Sequence, residues 1–123
     1  MRTEDYLEQV LKVLKTNPLV VSYDVKFEIK SSTLALLYGE VLFKDGSTLE
    51  FLELIRETHK GLERLKYRFQ YMKGKILVFR YDNAPHHNEI DTFPHHKHID
   101  GKVIPSTEKN LLEVLKEIED YLY

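Results

Sequence analysis

Residues 19–29, LVVSYDVKFEI, set Leu19, Val21, Tyr23, Val25, Phe27 and Ile29 against Ser22, Asp24, Lys26 and Glu28 in strict alternation. Side chains on a strand point alternately to opposite faces, so this pattern predicts a strand with one dry side and one wet side. Leu34 to Phe43 continues as a more apolar strand, and Lys44-Asp45-Gly46-Ser47 supplies a hairpin turn into a third, Thr48 to Ile55. A fourth places Leu65, Tyr67, Phe69 and Tyr71 on one face and Arg64, Lys66, Arg68 and Gln70 on the other. Lys73-Gly74-Lys75 then turns into a fifth, Ile76 to Tyr81. Short turns between one-sided strands predict an antiparallel meander of about five strands.

Helical periodicity flanks the strands. Leu7, Val10, Leu11 and Leu14 recur at i, i+3, i+4 and i+7, with Thr3 as the expected cap and Asn17-Pro18 as the stop. Near the other end, Leu111, Leu115, Ile118 and Leu122 form an apolar stripe behind Ser106 or Thr107, the expected caps. The fold class that follows is α+β: an antiparallel sheet with its N- and C-terminal helices packed on one face. The other face is then left uncovered.

At 123 residues, 42% of them hydrophobic, the chain fits a single domain, residues 1–123, with no repeat or linker. Eighteen basic against twenty acidic side chains give a net charge of -2, so a polybasic binder is excluded and contact with nucleic acid requires a local patch. Arg64, Lys66 and Arg68, read as one row on the wet face of the fourth strand, form such a patch, although lysine and arginine on a strand also serve solubility. Cysteine is absent, which removes disulfides, thiol nucleophiles and thiolate metal sites. The acidic start, Met1-Arg2-Thr3-Glu4-Asp5, is unlike a targeting signal, and no apolar run reaches the ~18 residues of a membrane span, so the expected location is the cytoplasm. Abundant lysine and glutamate without cysteine is a composition found in thermophile proteins.

Five of the six histidines, His86, His87, His95, His96 and His98, fall within residues 86–98, inside an irregular segment read as a loop over 82–100. His59, outside it, is expected as a solvated turn residue. The cluster admits three readings. Imidazoles can exchange protons near neutrality, one accepting from a ribose 2'-hydroxyl and another donating to a departing 5'-oxygen, with Lys97 stabilising the charge on phosphorus. Alternatively, His96 and His98 share a side of an extended segment and, with His86 or His87 and a carboxylate such as Asp82 or Asp91, hold zinc or manganese for hydrolysis. The third possibility is an exposed loop that binds a partner or senses pH. Tyr67, Phe69, Tyr71 and Tyr81 are expected in the core rather than stacked on bases.

The run Arg80-Tyr81-Asp82-Asn83-Ala84-Pro85-His86-His87, followed by Thr92-Phe93-Pro94-His95-His96-Lys97-His98, resembles the TumE-like toxin family. These are small prokaryotic proteins typically encoded beside a helix-turn-helix antitoxin. The resemblance implies a growth-inhibiting activity controlled by that antitoxin, with RNA cleavage the expected chemistry. On this reading His86, His87, His95, His96 and His98 supply acid, base and orientation, Lys97 stabilises the transition state and Asp82 orients a histidine. Arg64, Lys66 and Arg68 hold RNA, and no cofactor is needed. The alternatives are a zinc or manganese site of His96, His98, His86 and Asp91, or a binding module without catalysis. The oligomeric state is left open by the sequence, although one uncovered sheet face and a short chain are compatible with a homodimer.

Overall fold

The computed structural model describes all 123 residues. Helix α1 (Thr3–Thr16) leads into strands β1 (Val20–Ile29), β2 (Leu34–Phe43), β3 (Thr48–Thr58), β4 (Gly61–Lys73), β5 (Ile76–Asp82), β6 (His96–Ile99) and β7 (Lys102–Pro105), and α2 (Leu111–Leu122) closes the chain. The strands pair in sequence order, each antiparallel to the next, in one open seven-stranded sheet. The α+β class, the meander and the two helices stand; the strand number rises from about five to seven.

The two added strands come from the supposed loop. Each has only four residues and neither shows apolar alternation, so period-two reading passes over them. Their turn is Asp100-Gly101, both of which hold positive φ, 53° and 72°, as a two-residue Asp-Gly hairpin requires.

Residues directly opposite in neighbouring strands share a face. Leu37, Val41, Leu49, Phe51, Tyr67, Phe69, Tyr71, Phe79 and Tyr81 form one buried layer, against which α1 packs Val10 and Leu14 and α2 packs Leu111, Val114, Leu115 and Ile118. Both helices thus contribute to a single core on one side of the sheet. Small differences mark the helices. In α1, Tyr6, Leu7 and Val13 join the core while Leu11 does not. The cap is Arg2 and not Thr3, whose backbone N–H instead donates to Glu57 Oε1 at 2.8 Å. Helix α2 starts later than expected, capped by Asn110, which accepts from the Glu113 N–H at 2.9 Å, and not by Ser106 or Thr107.

Gly39 marks where β1 and β2 press closest. A Cβ there would lie 2.4 Å from the Asp24 carbonyl oxygen and 3.1 Å from the Val25 Cα, both backbone atoms with little freedom to retreat. Gly39→Ala is expected to cost about 1–3 kcal/mol, read as a lower urea midpoint with an unchanged m-value.

Candidate catalytic site on the open face

The register that fills the core also determines what lies on the other side. Arg68 faces Asp82 and Asp82 faces His96, while Gln70 faces Arg80 and Arg80 faces His98. Tyr81 and Phe79, which alternate with Arg80 and Asp82 along β5, point into the core. The sheet's uncovered face therefore carries Arg68, Arg80, Asp82, His96 and His98 on three adjacent strands.

Asp82 is the centre of this group and is buried. Its Oδ1 accepts from the Ala84 N–H at 3.0 Å and lies 2.9 Å from His96 Nε2, and its Oδ2 accepts from Arg80 Nε at 3.2 Å. Each oxygen of this buried carboxylate therefore has a donor, which fixes the charge in place. His96, also buried, meets oxygens at both ring nitrogens, since Nδ1 lies 2.9 Å from the Pro94 carbonyl. His98 differs. An arginine can only donate, so the Arg80 guanidinium 3.2 Å from His98 Nε2 makes that nitrogen an acceptor. Burial, reinforced by the Arg80 charge, holds the His98 imidazole below its ordinary pKa.

The loop after β5 brings His87 onto the same group. Its ring centroid lies 4.9 Å from that of His96 and 5.7 Å from that of His98, and His96 and His98 are 4.9 Å apart. One ligand nitrogen from each of the three falls within 4.8 Å of the others. His87 and His98 keep partly exposed side chains, at 30% and 21%, whereas His96 keeps 3%.

Other expected members go elsewhere. His95 follows the opposite parity to His96, stacks on Tyr67 and shares a 2.9 Å hydrogen bond with its hydroxyl, which burial pushes up to about 12. Lys97 also faces the helices, sits over the Phe79 and Tyr81 rings and pairs with Glu117 of α2 at 2.7 Å. It is not beside the imidazoles, because the strand that aligns His96 with His98 must turn Lys97 away. His86 and Asp91 are exposed, and it is His87, not His86, that joins His96 and His98. His59 is an exposed turn residue, as expected.

The basic row is also broken. Leu54 opposes Lys66 but Ile55 opposes Arg64, so Leu65 is the extra residue of a bulge that moves Arg64 to the core face. The Asn83 side chain holds the flanking backbone, accepting from the Tyr67 N–H at 3.0 Å and donating to the Leu65 carbonyl at 3.1 Å. Arg64 NH1 binds Glu53 Oε2 at 2.9 Å, and its NH2 reaches Glu108 Oε1 at 3.0 Å and the Lys109 carbonyl. Lys66 and Arg68 stay exposed on the open face. Arg80 and Asn83, which bond Asp82 and the backbone beside the bulge, were not given a role from the sequence, although the two-residue spacing of Arg80 and Asp82 already placed both on one side of β5.

The open face is divided by charge. Its β1–β3 half carries Asp24, Glu28, Glu40 and Glu50 with Lys26 and Arg56, while the β4–β6 half carries Lys66, Arg68 and Arg80 with Glu63, Asp82 and the imidazoles. The cluster itself lies on a surface; a concavity of about 350 Å³ around Tyr6, Leu62 and Arg64 is on the helix side.

These features define a small α+β protein with a buried, fully bonded carboxylate among imidazoles on a free sheet face. The family model for toxin TumE matches residues 10–122, nearly the whole chain. The chain belongs to the TumE toxin family, and membership implies an antitoxin partner. No curated protein and no solved structure matches it. No helix is long and apolar enough to cross a membrane.

Proposed function

We propose that this toxin cleaves RNA by proton transfer between imidazoles, without a metal in the reaction. The observation that carries the reading is the unequal bonding of the histidines around Asp82. His98 holds an unprotonated nitrogen, which becomes a general base once Arg80 turns from it to the phosphate, and partly exposed His87 stands across from it to supply the proton. His96, buried between the Pro94 carbonyl and the Asp82 carboxylate, and Asp82 itself hold the pair in place; they are positioning residues. Arg80 and Arg68 stand beside the site where a phosphate gains charge, and Lys66 extends the contact along the strand. An open surface suits a polymer better than a small molecule, which is usually enclosed by a cleft.

The reaction forms a bond from the 2'-oxygen to phosphorus and breaks the bond from phosphorus to the 5'-oxygen. The 2'-hydroxyl proton goes to the base, and the acid's proton goes to the departing 5'-oxygen. The antitoxin is proposed to be a helix-turn-helix protein, and an adjacent small reading frame of that type would support it.

Purified toxin incubated with single-stranded RNA in excess chelator should cleave at its full rate and leave 2',3'-cyclic phosphate ends. Cleavage that stops in chelator and returns with zinc or manganese, or that leaves 5'-phosphates, would replace this reading with metal-dependent hydrolysis.

A further inference from the structure

We infer that His87, His96 and His98 form a binding site for one divalent metal ion of the zinc class, a property separate from the proposed proton transfer. Three imidazole nitrogens within 4.8 Å of one another already approximate a ligand triangle. A tetrahedral ion with metal–nitrogen bonds of 2.0–2.1 Å requires nitrogens roughly 3.4 Å apart, so the triangle needs only a modest contraction. Imidazole donors select zinc, cobalt, nickel and copper over magnesium or calcium, which prefer oxygen.

The outer contacts match what such a site uses. A ligating histidine usually hands its second nitrogen to a carbonyl or carboxylate, which fixes the ring and leaves the other nitrogen for the ion. His96 Nδ1 faces the Pro94 carbonyl at 2.9 Å, and His87 Nδ1 lies 3.5 Å from Glu89 Oε1. Both rings thereby present Nε2 inward. His98 Nε2, the acceptor from Arg80, lies 3.6 Å from Asp82 Oδ2, so it too faces the centre of the group.

Two adjustments accompany loading. Asp82 gives up its 2.9 Å contact with His96 Nε2 and stands next to the ion as a compensating charge or fourth donor. Arg80, whose side chain is 32% exposed on the free face, swings away from His98. Backbone motion is needed only in the loop carrying His87, because His96 and His98 are fixed on one strand. A loaded ion would occupy the lone pairs on which proton transfer depends, so zinc should inhibit RNA cleavage.

The direct test is binding, measured without RNA. The full chain, stripped with chelator and exchanged into metal-free buffer, is titrated with zinc chloride against a chromophoric chelator and with cobalt chloride by visible absorption. One equivalent per chain and a tetrahedral cobalt spectrum are expected. His87→Ala and His98→Ala, checked for folding by circular dichroism, should each weaken binding by more than about 100-fold, beyond the 10–100-fold that loss of an outer contact costs. His86→Ala and His95→Ala should keep the equivalent. The inference is overturned if the parent chain binds no stoichiometric metal, if binding survives both His87→Ala and His98→Ala, or if it is lost in His86→Ala. Stoichiometric binding in a protein that cleaves no RNA under any condition would sustain the metal site and remove the proton-transfer reading.

Discussion

His98→Ala and His87→Ala should each lower RNA cleavage about 10²–10⁴-fold, the range over which a positioned acid or base contributes, while leaving the melting temperature within a few degrees. The two side chains are partly exposed on a face that no helix covers, so truncation opens no internal cavity. His95→Ala makes the contrast. It removes a ring stacked on Tyr67 and a hydrogen bond to its hydroxyl, so it should lower stability and leave the rate of the folded fraction unchanged within a few-fold. The measurement is single-turnover cleavage of a labelled RNA alongside thermal melts of all three variants. Equal losses in all three would show that the side of β6 does not matter and would sink the assignment to the open face. Growth inhibition by the same variants in cells gives a second readout, with protein level monitored because a destabilised toxin loses abundance.

The second large effect concerns stability. Glu53 is fully buried, and Arg64 keeps only 11% of its side-chain surface. Tyr6 of α1 donates to the same Glu53 oxygen at 2.7 Å, and the carboxylate, second to burial, raises the Tyr6 hydroxyl above its ordinary pKa. Arg64 lies 4.1 Å over the Tyr67 ring and continues to Glu108 and Lys109, ahead of α2. Burial opposes the guanidinium charge, but the contacts to Glu53 and Glu108 outweigh it and raise the Arg64 pKa. Removing Arg64 strands the Glu53 carboxylate in the interior, and removing Glu53 leaves the guanidinium only its outer contacts to Glu108 and the Lys109 carbonyl. Glu53→Ala and Arg64→Ala should each cost about 3–5 kcal/mol, a fall in melting temperature of roughly 10–20 °C. The Glu53→Leu/Arg64→Leu double variant should lose less than the sum of the singles, because no unpaired charge remains. An Arg64→Ala protein that melts normally but binds RNA poorly would instead restore Arg64 to the phosphate-binding row.

Much of the architecture followed from local pattern. The alternation of Leu19–Ile29 and the turn at Lys44–Ser47 set strands and hairpins, because both depend on near neighbours in the chain. The short β6–β7 hairpin escaped because it is held mainly by backbone pairing at the sheet edge and not by an apolar repeat. The histidine segment was visible from its density alone, as was the possibility that His96 and His98 share a side. Which histidines join them was not visible, since His86 and His87 are adjacent and only the path of the loop brings His87 inward.

The sequence by itself determined the α+β class, the meander, the two amphipathic helices, the histidine cluster and the family to which the chain belongs. Tertiary structure alone decided which face each charged side chain occupies. A strand repeats every two residues, so one extra residue at Leu65 reverses everything before it and converts Arg64 from a surface cation into a buried ion-pair partner. The same rule applied to β6 separates His96 and His98 from His95 and Lys97, although the four are consecutive. Face is a property of register, and register is fixed by pairing with distant strands.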